Sequence, residues 1–290
     1  MPPPRISVII PTFNRRDHLV AAIDSVLNQT SPAHEIIVVD DGSTDGTADW
    51  LTANHPSILL LQQSNHGVSH ARNKGIESAS GDWVALLDSD DQWQPCKLER
   101  QLEALAAMPK AILCHTNEHW IRNGVKVNQK QRHQKHGGWI FEHCLPLCAI
   151  SPSAAVIKRS LLLELGGFDE SLPACEDYDL WLRITVRDPV LFIDQPLVIK
   201  HGGHDDQLSR QYWGMDRFRL RALAKLLRSD TASPLQHKQA LSVFAEKYKV
   251  LQTGALKRNR YEHVRQMQRD YADLLCDSGA ASAEPGGKHQ

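Results

Sequence analysis

Carboxylates follow two apolar runs of this chain, and a third acidic pair opens a helix-like stretch. The densest cluster is Asp88-Ser89-Asp90-Asp91, directly after Val84-Ala85-Leu86-Leu87. In an extended segment, residues two apart point the same way, so Asp88 and Asp90 are expected to converge. Their hard oxygens suit Mg2+ or Mn2+, which leave room for phosphate oxygens. A cation held there would neutralise a diphosphate leaving group. Asp-rich turns also form for purely structural reasons; the position beyond a buried strand is what favours a ligand. Asp40-Asp41, after Ile36 to Val39, can accept from a base N–H or a ribose hydroxyl, or cap a helix with Gly42 and Ser43. Arg72 and Lys74, beyond Gly67, can face phosphates or solvent. Glu176-Asp177 opens a helix, where the dipole favours acids; one of the pair can also serve as a general base. His201 and His204, in His-Gly-Gly-His-Asp-Asp, can complete a metal's coordination or be structural.

These residues need elements to hold them. The apolar run at 6–10 reads as a strand buried on both faces, 36–39 as a second buried strand, and 58–61 and 83–87 as two further strands. Helical spacing lies between them, at 19–27, around Ala48 and Leu51, and over 68–79, with Ser43 or Thr44 expected to cap the second helix. Such a βαβαβαβ series predicts an α/β fold, a mostly parallel twisted sheet flanked by helices in a Rossmann-like manner. Ligands of such sheets sit at the carboxyl ends of the strands, where these acids and Asn14 fall. Further on come a helix over 97–107 and a hairpin over 121–127 turned at Asn123-Gly124. Residues 128–138 are polar and read as a mobile loop. A strand at 154–157 and a helix at 161–165, ended by Gly166-Gly167, follow. Then come a helix over 176–186 and two strands at 190–193 and 197–199. Beyond residue 207 only helical stretches follow, near 208–228, 234–252 and 255–276, and the Gly-rich 278–290 is expected to be disordered.

Several of these stretches occur together in one family. Residues 7–14 (Ser-Val-Ile-Ile-Pro-Thr-Phe-Asn) resemble the opening strand of the inverting family 2 glycosyltransferases of GT-A fold. Residues 37–47 resemble their nucleotide-binding turn, and Gly67 with Ala71-Arg72-Asn73-Lys74-Gly75 their next helix. Leu87-Asp88-Ser89-Asp90-Asp91 is similar to the family's DxD metal motif. Gly166 to Glu170 and Glu176 to Trp181 are similar to its acceptor-side motif. The resemblance spans roughly residues 5–210 and implies roles. Pro11, Thr12 and Asn14 would line the nucleoside pocket, and Asp41 would hold the base. Arg72 and Asn73 would lie near the base or diphosphate. Asp88, Ser89, Asp90 and Asp91 would serve ribose and metal, with His201 or His204 as a late ligand. Asp177 would be the general base, supported by Glu176. A single base suffices for one inverting displacement, with a divalent metal and a nucleotide sugar, UDP-linked by family habit, as co-substrate. The acceptor would be a glycan or lipid-linked saccharide of envelope or polysaccharide biosynthesis. Residues 1–206 would then be the catalytic domain, with a donor half at about 5–115 and an acceptor half at about 116–206. Residues 207–277 form a helical extension outside the resemblance.

Composition narrows the alternatives. With 33 basic and 34 acidic residues and no basic run interleaved with aromatics, nothing points to nucleic acid. The six cysteines form no CxxC pair, and Cys144, Cys148 and His143 do not assemble a zinc site, so reduced thiols of a cytoplasmic protein are expected. No leader and no membrane-length apolar run is visible, which leaves peripheral membrane contact open. A non-catalytic scaffold on this fold would have lost the DxD or Glu-Asp pair, and both are present. A dehydrogenase would carry GxGxxG where this chain has Pro11-Thr12-Phe13-Asn14. A nucleotidyltransferase would release pyrophosphate.

Overall fold

The computed structural model describes residues 4–203 and 212–277. The chain divides into two compact units, residues 1–211 and 212–290. The boundary read from sequence, at 206/207, and the C-terminal tail lie outside the described residues.

In the first unit β1 (Ile6–Thr12) is buried along its whole length, as a strand covered on both faces must be. It pairs in parallel with β2 (Glu35–Asp40) on one side and β4 (Trp83–Leu86) on the other. Strand β3 (Leu59–Gln62) extends the parallel set beyond β2. Helices α1 (Arg16–Leu27), α2 (Thr47–Asn54) and α3 (Val68–Ser78) make the crossovers. Beside β4 the direction reverses at β8 (Val156–Lys158), and the sheet continues through β6 (Leu113–Arg122) and β9 (Leu191–Gly202) to the short β5 (Gln92–Trp93). Strand β7 (Val125–Val127) closes the expected hairpin on β6. Nine strands form one mixed sheet, and its apolar layer includes Val8, Ile10, Ile23, Val38, Ala85 and Val156.

Tight packing fixes α3 against β1: a Cβ on Gly75 would lie 2.5 Å from Ile9 Cγ2. Two sequence expectations are corrected. The second helix is not capped by Ser43 or Thr44; Gly46 precedes it in the left-handed region, and the Asp45 side chain accepts from the Thr47 N–H. The two strands expected at 190–193 and 197–199 are one strand, whose register against β6 shifts around Asn117. The 128–138 loop has anchors at its C-terminal end. Gly138 and Val190 exchange backbone bonds of 2.8 and 2.9 Å, and Lys135 is buried beside Glu118 at 3.3 Å. The second unit consists of α8 (Asp216–Leu227), α9 (Pro234–Leu256), α10 (Tyr261–Asp270) and α11 (Ala272–Asp277). Ser233 caps α9 in a reciprocal capping box with Gln236.

Candidate active site

Parallel pairing of β1, β2 and β4 brings the loops at their carboxyl ends together. After β1, Asn14 takes a left-handed conformation, φ 50°. Its N–H donates to Ser43 Oγ at 2.8 Å and its Oδ1 accepts the Thr44 N–H at 2.7 Å, which stitches the first loop to the second. Pro11 and Thr12 are buried at the strand end, and Thr12 Oγ1 has no partner. Asp40 turns the second loop by accepting the Ser43 N–H. Asp41 is buried and accepts from the His66 and Gly67 N–H groups and from Gln63 Nε2, each at 2.8 Å. Its carboxylate therefore holds the loop that feeds α3.

Arg72, on the buried side of α3, joins two distant acids. One Nη donates to Asp88 Oδ1 at 2.6 Å and the other to Glu176 Oε1 at 2.7 Å, with the Phe168 ring 5.0 Å away. Burial alone would raise the Asp88 carboxyl, but Arg72, Lys200 and Arg15 together outweigh it and hold the group below its ordinary range. Glu176 goes the other way: burial, and then the Asp177 charge, raise it. Neighbouring Asn73 is engaged within the protein. Its amide donates to Phe168 O and Glu170 and accepts the Phe168 N–H, so it clamps the Gly166-Gly167 turn. Gly167, at φ 68°, is required there, because a Cβ would meet Asn73 Oδ1 at 2.3 Å.

Residues 88–91 form a turn, not an extended segment: the Asp91 N–H donates to Asp88 O at 3.0 Å. The expected convergence of Asp88 and Asp90 is corrected accordingly. Asp88 goes to Arg72, Asp90 to Arg15 at 2.8 Å, and Ser89 is buried between them. Asp91 is fully enclosed, accepting from Ser153 Oγ at 2.6 Å and from the His201 N–H at 2.9 Å. Burial pushes its carboxyl up to about 8, against the pull of Lys200 at 3.8 Å. Asp91 thus fixes β9 to the turn and is poorly placed to ligate an ion. Among the described residues no three His, Cys, Asp or Glu side chains are grouped to hold a metal. The donor set still suits a hard cation. His201 Nδ1 is buried without a partner, and Arg72 occupies only one oxygen of Asp88. His204 lies outside the described residues.

Helix α7 (Glu176–Thr185) presents the last carboxylate. Cys175 precedes it in the left-handed region, φ 62°. Tyr178 Oη donates to Leu145 O near the helix start, and Arg183, in the last turn, donates to Leu165 O and Gly167 O, so the helix is anchored near both ends. Glu176, Tyr178 and Asp179 are buried, whereas Asp177 is half-exposed. The Cys148 thiol has two acceptors for its one proton, Asp177 Oδ2 at 3.0 Å and Ile150 O at 3.1 Å. Burial, and then Asp177, push that thiol well above its ordinary range, so it is a donor and not a thiolate.

With this geometry in place, similarity to known proteins decides the family. Residues 7–166 match the family described as Glycosyl transferase family 2. The chain belongs to glycosyl transferase family 2. It is 32% identical over 209 residues to an uncharacterized glycosyltransferase of Rickettsia typhi, covering 70% of this chain and 65% of that protein. It is 46% identical over 104 residues to the putative teichuronic acid biosynthesis glycosyltransferase TuaG of Bacillus subtilis, covering 34% and 41%. Relatives of this kind can be longer: the chain spans 32% of another, from Rickettsia conorii, at 35% identity over 67% of this chain. The fold of this family 2 glycosyltransferase is GT-A type. It overlays the S. aureus TarS 1-349 structure in complex with UDP-GlcNAc at TM-score 0.66 and 20% identity, over 84% of this chain and 71% of that one. The mannosyltransferase PcManGT of Pyrobaculum calidifontis, in complex with GDP-Man and Mn2+, overlays at 0.54 and 21% identity, over 94% and 85%. Four side chains of this glycosyltransferase were not singled out for the site from sequence: Arg15, Cys148, Ser153 and Lys200. Each earns its place through a partner at least 29 residues away, which no local pattern reveals.

Proposed function

We propose that the chain is an inverting glycosyltransferase that moves a sugar from a nucleoside diphosphate, UDP by preference, to a saccharide hydroxyl. The observation that carries this is the Asp88–Arg72–Glu176 bridge. It puts the end of β4 beside the start of α7, where Asp177 is the half-exposed acid of the first turn. In this reading Asp177 takes the proton of the acceptor hydroxyl as its oxygen attacks the anomeric carbon from the face opposite the diphosphate. Cys148 holds the Asp177 carboxylate in place. Arg72 keeps Asp88 ionised and Glu176 oriented, and the Asn14–Thr44 stitch shapes the nucleoside loop. Asp88, Asp90 and His201, which are not grouped as they stand, would have to draw together to hold a divalent ion, which would neutralise charge on the departing diphosphate. Asp90 would then exchange Arg15 for it. The UDP-GlcNAc bound to TarS and the putative place of TuaG in teichuronic acid biosynthesis support a UDP-linked donor and a polysaccharide acceptor.

The test is thermal unfolding with UDP, GDP, dTDP and CDP, each with and without Mn2+. A ligand that binds only the folded state raises the midpoint. The expected outcome is a rise with UDP that needs the metal and disappears in Asp90→Ala. No rise with any nucleotide, or a rise indifferent to metal and to Asp90, would contradict the donor assignment.

A further inference from the structure

The two units differ in charge. Residues 212–277 carry 13 Lys and Arg against 7 Asp and Glu, a formal +6 in a chain whose net charge is −1. The excess is not scattered over α8. Arg217, Arg221, Lys225 and Arg228 follow one another at spacings of four, four and three, which places them on a single stripe of the helix. Phe218, Leu220, Leu223, Ala224 and Leu227 are buried on the rest of it, while Arg221, Lys225 and Arg228 are exposed, Arg228 being paired with Asp273 at 2.8 Å. The stripe borders an open groove of about 640 Å³, floored by Leu220, Ala224, Leu251 and Met267. At the N-terminal end of the stripe stands Trp213, 39% exposed, with Arg217 at 4.1 Å on its ring and Arg260 at 3.8 Å. Tyr261, 52% exposed, adjoins Arg260.

We propose that this face of the C-terminal unit docks on an anionic phospholipid surface. Each part has a physical reason. A row of basic side chains is drawn to a negatively charged leaflet. Arginine and lysine stems lie along apolar surface while their heads stay at the phosphates. Trp and Tyr beside them offer an apolar body and a polar tip, which suits the headgroup layer. The apolar groove floor favours a lipid over a polyanion that is polar throughout, such as nucleic acid. Among the described residues no helix is long and apolar enough to cross a membrane, so this is surface docking. It goes beyond the transfer reaction and does not depend on it.

The test is flotation of the full chain with vesicles of phosphatidylcholine alone and of phosphatidylcholine mixed with phosphatidylglycerol. Binding is expected only to the mixed vesicles, and weaker at high salt. The double variant Arg221→Gln/Lys225→Gln, both positions exposed, should bind roughly 25-fold more weakly, from about 1 kcal/mol per basic residue. Its unfolding midpoint and its UDP response should match the parent, which separates loss of docking from loss of the donor site. Trp213→Ala should weaken binding while the salt dependence remains. Absence of binding to the mixed vesicles, or equal binding by the double variant, overturns the proposal. So does a parent chain that binds duplex DNA or polyglutamate through this stripe and ignores the vesicles.

Discussion

Arg72 donates to Glu176 at 2.7 Å although 104 residues separate them, and the same guanidinium donates to Asp88 at 2.6 Å. One buried cation thus couples the end of β4 to the start of α7. Removing one partner of a buried ion pair leaves uncompensated charge behind. Arg72→Met should lower unfolding stability by about 3–5 kcal/mol, read by chemical denaturation. Arg72→Lys should recover little, because an ammonium cannot supply the guanidinium's forked geometry to both acids. A variant as stable and active as the parent would show the bridge to be incidental.

Cys148 is expected to act on Asp177 as a hydrogen-bond donor. Cys148→Ala should lower kcat several-fold with donor affinity unchanged, and Cys148→Ser, which keeps a donor, should restore most of it. A thiol that served only as packing would give the opposite order, since Ala tolerates an apolar site better than Ser.

Lys97 lies in α4 (Lys97–Ala107), fully buried. It donates to Gln101 Oε1 at 2.7 Å and sits 3.8 Å from the Trp93 ring centroid. Burial pulls its ammonium down from 10.5 to about 7. The Trp93 face favours the charged form and resists that fall. Between those two values the unfolded chain holds more protons than the folded one. Stability should therefore rise with pH from about 7 to 10.5, by up to about 1.4 kcal/mol per pH unit. Denaturant melts across that window should show the rise in the parent, and Lys97→Met should flatten it. An unchanged slope in the variant would assign the pH dependence to other groups.

Much of this fold is legible in sequence because buried parallel strands write themselves as unbroken apolar runs. β1, β2 and β4 lie where those runs do, and Gly166-Gly167 ends its helix as glycines do. Where the reading fails, a local rule competed with a distant partner. Asp88 to Asp91 read as extended, but Asp and Ser favour turns, and the Asp91 N–H closes one. Asp194-Gln195-Pro196 read as a break in β9, yet the strand bulges there and stays paired, Thr116, Asn117 and Glu118 facing Ile193, Pro196 and Val198. In the polar 128–138 loop, composition reports solvation and does not reveal that Lys135 finds Glu118. Asp177 was nameable from its motif. Its donor, Cys148, was not, since a single thiol carries no pattern of its own.

The central claim is that Asp177 is the base of a sugar transfer from a UDP-linked donor. Its most direct test measures UDP release from a UDP-sugar by the parent and by Asp177→Asn, with UDP binding to both measured by calorimetry. The account expects UDP to bind both proteins equally while turnover falls by about 10²–10⁴-fold in the variant, the usual worth of a positioned base. Near-normal release by Asp177→Asn would contradict it.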